Sequence, residues 1–452
     1  MRWPIAVLAT TVVLAAGGGA SYVVLHDEHG RRASPTPSPT AAAPVPTPAL
    51  SALRTEAPEP TRAGVTRRLH RLVRDPAFGG ALAGLVLDAG TGDALFVRRP
   101  AAALPPASTT KLLTAVAALE TLGPDAHLTT SVVRSGRTLY LVGGGDVTLA
   151  AGRRQVYPAP ATLTALAART ASAVAGTTFR LRYDDTAWRG PRLAEGWTPG
   201  YVSGGNVAPV TALEVDEARL TGFTSLHPQP RAEDPAAAAA AAFDKALAAA
   251  GVRVSGRVRT GRAPRLAPLA TVASPSVAAL VQRMLTDSDN DLAEALARAV
   301  ARKEGEPPTF AGAARAIGAV LARLGLPTGN LRLVDGSGLS HLDRVSARLL
   351  AGVLRLVVGT PQLRPVTEGL PVAGFTGTLA DRYGNRVTRA GAGVVRAKTG
   401  TLAGVNTLAG TVVDADGRLL VFAFLTDRAM DPDTTEHALD RLAASLARCG
   451  CG

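Results

Sequence analysis

Cysteine is nearly missing from this sequence: Cys449 and Cys451 are the only two in 452 residues, and both sit at the very end. Neither a disulfide framework nor a cysteine-rich zinc site can therefore organise the core. The seven histidines show no HExxH or comparable ligand spacing, so neither a catalytic metal nor another cofactor is expected. Aromatic residues make up only 4%, and basic residues without interleaved aromatics form a poor platform for nucleic-acid bases. Lysine is scarce as well, with Lys111, Lys245, Lys303 and Lys398 the only ones. The formal charge of +13 is thus nearly all arginine, and such a field favours polyanions. For an exported chain, anionic wall polymers are the simplest of these. With 46% hydrophobic and 19% charged residues the chain can bury a substantial core, in two or three domains.

Residues 1–29 read as an export signal or membrane anchor. Met1 and Arg2 precede an apolar run from Trp3 to Leu25, followed by polar His26-Asp27-Glu28-His29. A basic residue ahead of such a run directs insertion with the N-terminus inside. Gly18-Gly19-Ala20 offers a small-residue cleavage point, while the run is long enough to span a bilayer uncleaved. Residues 30–64, rich in Pro, Ala, Thr and Ser, read as an extended tether.

The folded part opens with a short amphipathic helix over Val65–Val73, where Leu69, Leu72 and Val73 stand among arginines, then apolar segments Gly80–Asp88 and Ala94–Arg98 around a Gly-rich turn, then a helix over Thr109–Leu122 ended by Gly123-Pro124. Later, Ser274-Pro275 can open a helix through Leu285, and another follows over Leu292–Arg302. The end alternates again: strands over Val394–Thr399, Thr407–Val413 and Leu419–Thr426, then a helix from Thr434 to Ala447. Early and late strands suit one antiparallel sheet flanked by helices, an α+β layering. Residues 146–271, with Ala-rich helical stretches and short strand-like pieces, read as an inserted smaller domain between a first part, 65–145, and a second part, 272–452.

Three short motifs could carry chemistry. Ser108 and Lys111 stand three positions apart at a helix start, on one face. A serine hydroxyl needs a neighbouring base, and a desolvated lysine can be neutral enough to serve. Ser288-Asp289-Asn290 offers a second hydroxyl and an amide at another helix start; a capping turn explains it equally well. Lys398-Thr399-Gly400-Thr401 closes a β-rich segment, where Thr399 and Thr401 share a side and Gly400 lets a ligand approach. Together, S-x-x-K, S-x-N and K-T-G arise by chance on the order of one time in a thousand at this composition.

This trio is the signature of penicillin-binding proteins and serine β-lactamases. From about Gly80 onward the chain resembles the D-alanyl-D-alanine carboxypeptidase/endopeptidase family of class C low-molecular-mass penicillin-binding proteins, peptidase family S13. The resemblance rests on Pro106-Ala107-Ser108-Thr109-Thr110-Lys111, Val142-Gly143-Gly144-Gly145-Asp146, Ser288-Asp289-Asn290 with Ala293-Glu294, Asp335-Gly336-Ser337-Gly338-Leu339-Ser340 and Ala397-Lys398-Thr399-Gly400-Thr401. The long gap between Ser108 and Ser288 matches the insert that this family carries. The resemblance implies a penicillin-binding/serine β-lactamase-like transpeptidase domain acting on peptidoglycan stem peptides and acylated by β-lactams. It implies Ser108 as nucleophile, Lys111 as general base, and Ser288 with Lys398 as a proton relay to the leaving D-alanine. Asn290 would hold the acyl-side amide, and Thr399 and Thr401 the terminal carboxylate. A serine β-lactamase or esterase of the same fold, or a silent wall-binding protein, remains an alternative.

Other signals are read as structural. Gly143-Gly144-Gly145-Asp146 lacks the Lys-Ser/Thr of a phosphate loop and reads as a tight turn. Asp335-Gly336-Ser337-Gly338 lacks the G-x-S-x-G pattern and reads as a loop lining the cleft. Cys449-Gly450-Cys451 reads as a plain terminal pair, a small-ring disulfide or a lipid site being the alternatives.

Overall fold

The computed structural model describes residues 57–153, 156–174, 178–221 and 229–451. The apolar run and most of the proline-rich tether lie outside the described residues. Among the described residues no helix is long and apolar enough to cross a membrane.

Strands from both ends of the chain build the main sheet, in the order Val395–Leu402, Val405–Val413, Leu419–Thr426, Ala83–Asp88, Ala94–Arg98. Every pairing in it is antiparallel. The Leu419–Thr426 strand shows why it lies near the centre. Val421, Ala423 and Leu425 face the larger core with the helices Thr110–Leu122 and Ala347–Gly359. Leu420, Phe422 and Phe424 face a second core with the helices Arg62–Leu69 and Pro432–Ala447. An uninterrupted apolar run is what a strand buried on both faces requires.

The helix expected over Val65–Val73 forms with shifted bounds: it runs Arg62–Leu69, starting inside the stretch read as tether because the Thr61 hydroxyl caps Gly64 N at 3.1 Å, and Leu72–Arg74 is a separate 3-10 turn. Thr61 N also donates to the Cys451 carbonyl oxygen at 2.8 Å. The terminal cysteines are joined as a disulfide and packed in the second core, which corrects the reading of a plain pair.

A second, mixed sheet runs Arg253–Val254, Thr178–Asp184, Thr138–Gly143, His127–Ser135, Ala270–Ser276, with Arg259–Thr260 also paired to Thr178–Asp184. The helices Leu163–Ala173 and Pro235–Ala249 cover one face of it. This sheet draws on two strands ahead of residue 146. Ser274-Pro275, expected to open a helix, lies within its last strand; Ser276 caps the following helix, Val277–Thr286, by accepting from Ala279 N at 3.3 Å.

Candidate active site

Ser108 lies in a 3-10 turn, Ala107–Thr109, that leads into the helix Thr110–Leu122. No side-chain cap is used at either start, so the Ser108 hydroxyl is not committed to capping. Its neighbour Ala107 is fully buried and has φ +48°. A left-handed alanine costs about 1–2 kcal/mol, and strain of this kind collects at functional sites. The surroundings enforce it. Gly338, at φ +82°, lies so close that a Cβ there would run into the Ala107 carbonyl oxygen, and a Cβ on Gly400 would come 3.0 Å from the Ala107 side chain.

One helical turn on, Lys111 is fully buried and its Nζ donates to three oxygens. These are Ser108 Oγ at 2.9 Å, Asn290 Oδ1 at 2.7 Å and the Ser337 carbonyl oxygen at 2.7 Å. An ammonium has three donors, and all are used. Burial pushes this amine down to about 8, against the pull of the carboxylates of Asp335, Asp289, Glu294 and Asp291. When the amine loses a proton, Asn290 and Ser337 can keep the two remaining N–H groups, and the lone pair is left facing the Ser108 hydroxyl.

The partners of Lys111 are themselves held. Asp289, not Ser288, caps the helix Asn290–Lys303 by accepting from Leu292 N at 2.9 Å. Asn290 donates its Nδ2 to the Asn206 carbonyl oxygen at 2.9 Å, so the segment that joins two strands of the second sheet, Thr178–Asp184 and Arg253–Val254, closes on the site. Ser337 O is aimed by buried carboxylates. Glu294 accepts from Gly336 N and Ser337 N at 3.0 and 2.9 Å, and Asp335 from Gly338 N and Ser340 N at 2.6 and 2.7 Å. Trp197 Nε1 donates to Asp335 at 2.7 Å, and Glu294 pairs with Arg298 at 3.0 Å. The Asp335–Gly338 loop thus lines the site, as its sequence suggested.

The third motif lies on the edge strand Val395–Leu402. Lys398 is fully buried and its Nζ donates to the Thr399 carbonyl oxygen at 2.9 Å. Burial, then the positive charges of Lys111 and Arg382, hold its amine well below the ordinary value. Gly400 packs on the Ser108 turn, where a Cβ would meet the Pro106 carbonyl oxygen at 2.8 Å. The Thr399 hydroxyl lies 2.8 Å from that of Thr378, whereas exposed Thr401 donates to Glu436 Oε1 at 2.7 Å. Ser288 is half-buried at φ +57°. Among the described residues its hydroxyl has no hydrogen-bond partner, Lys398 included. Ser108, Lys111 and Asn290 therefore meet directly, Lys398 and Gly400 flank them, and Ser288 stands two residues from Asn290 with its hydroxyl unspent.

Beneath the Ser288–Asn290 turn lies a charge network that sequence reasoning missed. Carboxylate oxygens of Glu217, Asp289 and Asp291 fall within 4.8 Å of one another. Arginines already meet their charge: Arg219 pairs with Glu217 at 2.7 Å, Arg231 with Asp291 at 3.0 Å, Arg283 with Asp289 at 3.4 Å, and Arg283 also with Glu217. Burial and the Asp289 charge push Glu217 up to about 7, against Arg283 and Arg219. Burial would raise Asp289 too, but Arg283, the Leu292 N–H and two further arginines hold it below its ordinary value. Glu217 comes from a turn in which Asp216, Glu217 and Ala218 all have positive φ.

A buried amine against a serine hydroxyl, an amide from a second segment and a sheet edge from a third, on this α+β frame, is the arrangement of the penicillin-binding and serine β-lactamase-like folds. The chain belongs to the D-Ala-D-Ala carboxypeptidase 3 (S13) family, whose model matches residues 65–226 and 223–446. It is 38% identical over 460 residues to carboxypeptidase DacB of Mycolicibacterium smegmatis, covering 99% of this chain and 96% of the relative. It is 30% identical to a D-alanyl-D-alanine carboxypeptidase of an Actinomadura strain, covering 78% and 79%. Penicillin-binding protein 4 (dacB) of Haemophilus influenzae superposes with a TM-score of 0.70 at 22% identity, over 84% of this chain and 98% of that one. The last likeness supports the expected fold.

Proposed function

We propose that this chain is a serine D-alanyl-D-alanine carboxypeptidase/endopeptidase that cleaves peptidoglycan stem peptides through an acyl-enzyme on Ser108 and is acylated by β-lactams. The observation that carries the reading is the Lys111 amine, dry, pushed down to about 8 and 2.9 Å from Ser108 Oγ. Neutral Lys111 takes the hydroxyl proton as Oγ attacks the carbonyl of the penultimate D-alanine. Backbone N–H groups of Ser108 and Thr401 stabilise the charge that develops on the carbonyl oxygen. Ser288 passes a proton to the departing D-alanine amine and regains one from Lys398 once substrate turns the Lys398 amine from the Thr399 carbonyl oxygen, and Asn290 holds the acyl-side amide. Thr399, with Thr378, receives the terminal carboxylate; Thr401 joins when its hydroxyl exchanges Glu436 for substrate. Water then hydrolyses the acyl-enzyme. Such a substrate places the protein outside the cytoplasmic membrane, with the apolar N-terminal run as its export signal or anchor.

A pentapeptide ending in D-Ala-D-Ala should lose its last residue to the purified protein, and pre-treatment with penicillin should stop the release. Rapid turnover of the drug without release of D-alanine would instead mark a β-lactamase.

The rate of penicillin acylation should climb with pH and level off above about 8. With an amine at that value, only about a tenth of Lys111 is neutral at pH 7. A rate that is flat from about pH 6 to 9 would remove Lys111 as the base.

A further inference from the structure

The second sheet carries a charged surface that the chemistry at Ser108 does not use. From Ala126 to Tyr183 the only acidic residue is Asp146, which is buried. From Lys245 to Ser276 there is none, while Arg253, Arg257, Arg259, Arg262 and Arg265 fall in that stretch. The Thr178–Asp184 strand sorts its residues by period two: Phe179 and Leu181 enter the core beneath the helices, and Arg180 and Arg182 face out.

The outward arginines converge with those of the neighbouring segment. Arg182 stands in register with Arg259 on the parallel strand Arg259–Thr260. Like charges directly opposite each other destabilise a sheet, yet among the described residues neither has an ion pair. Arg180, Arg182, Arg257 and Arg259, with Ser255 and Gly256, line a hollow of about 290 Å³. Arg182 gives one N–H to the Thr260 carbonyl oxygen at 3.3 Å. Arg180, Arg257 and Arg259 donate from their side chains to no described residue.

We propose that this hollow binds the phosphodiester groups of an anionic wall polymer. A guanidinium offers paired donors that match phosphate oxygens. A planar carboxylate is satisfied by one such fork, whereas a phosphate directs lone pairs towards several, which suits four arginines around one hollow. A membrane surface is the poorer fit, because the site is concave and has neither lysine nor an aromatic residue among its lining groups. Binding here holds the enzyme on the wall and raises its effective concentration at polymeric substrate. The site stands apart from the reading of Ser108, since none of its residues contacts Lys111 or Asn290.

The test is calorimetric titration of the full chain with synthetic poly(glycerol phosphate), with poly-L-glutamate, and with vesicles of phosphatidylcholine and phosphatidylglycerol. Poly(glycerol phosphate) should bind best. The double variants Arg180→Gln/Arg182→Gln and Arg257→Gln/Arg259→Gln should each lose at least about tenfold in affinity, with a salt slope shallower by about 0.7 per phosphate contact removed. Both should release D-alanine from a soluble pentapeptide at the wild-type rate. Equal affinity for polyglutamate, vesicle binding that the same variants abolish, or variants that bind the phosphate polymer like wild type would each overturn the proposal. Loss of pentapeptide activity in the wild type would count against the peptidase reading and leave this result standing.

Discussion

Ser108→Ala should abolish covalent attachment of labelled penicillin and lower D-alanine release on the order of 10^4-fold or more, the scale seen when a nucleophile is removed from a catalytic unit. Lys111→Met should still bind the drug but acylate about 10^2- to 10^4-fold more slowly, the usual contribution of a general base. The methionine fills much of the lysine's volume, so the loss comes from chemistry and from the Asn290 and Ser337 oxygens left without a donor. Because hydroxyl and amine act on one proton, the double variant should be no slower than Ser108→Ala alone. Quantitative labelling and D-alanine release, each followed at matched folded protein, decide the matter. Persistent labelling of Ser108→Ala at wild-type speed would assign the acylated group elsewhere.

The parts of this site that were legible are those whose signal lies in side chains at short range. Ser108 and Lys111 are neighbours on one helix, and the run from Leu419 to Thr426 announces a strand because both of its faces are apolar. Lys398 could be singled out because lysine is so rare here. What escaped is long-range or carried by the backbone. Ser337 contributes a carbonyl oxygen, which every residue possesses, so nothing in its side chain announces it. Glu294 stands in sequence beside the Ser288–Asn290 motif but reaches Gly336 and Ser337, more than forty residues on. The helices Phe310–Arg323 and Ala347–Gly359 cover the sheet and the helix Thr110–Leu122, and here the signal was local: Ala313, Ile317, Val320 and Leu321, then Leu350, Val353, Leu354 and Val357, recur at helical spacing. Thr401 shows the limit of strand alternation. It shares a side with Thr399 in the period, but Glu436 on the last helix claims its hydroxyl.

Glu217 is the residue whose importance was least visible, and its replacement should have the largest effect on stability. Glu217→Leu removes the carboxylate that Arg219 and Arg283 share, while both arginines stay buried. Breaking one side of a buried ion pair costs about 3–5 kcal/mol, and because Asp289 and Asp287 still lie 3.4 and 3.8 Å from Arg283, the lower end of that range is expected. Asp289 then becomes the nearest acceptor for Arg283, which already lies 3.4 Å from it. A stronger pull on Asp289 loosens its cap on Leu292 N and moves Asn290 away from Lys111. Glu217→Gln keeps the shape and one acceptor oxygen, and should lose only about 1–3 kcal/mol, the scale of a compromised buried hydrogen bond. Urea unfolding of the two variants measures the first effect. The pH profile of penicillin acylation measures the second: with Asn290 displaced, Lys111 loses an acceptor for its ammonium form, so the rise in rate should shift to lower pH in Glu217→Leu and much less in Glu217→Gln. A Glu217→Leu protein with wild-type stability and an unshifted profile would show that the arginines do not depend on this carboxylate.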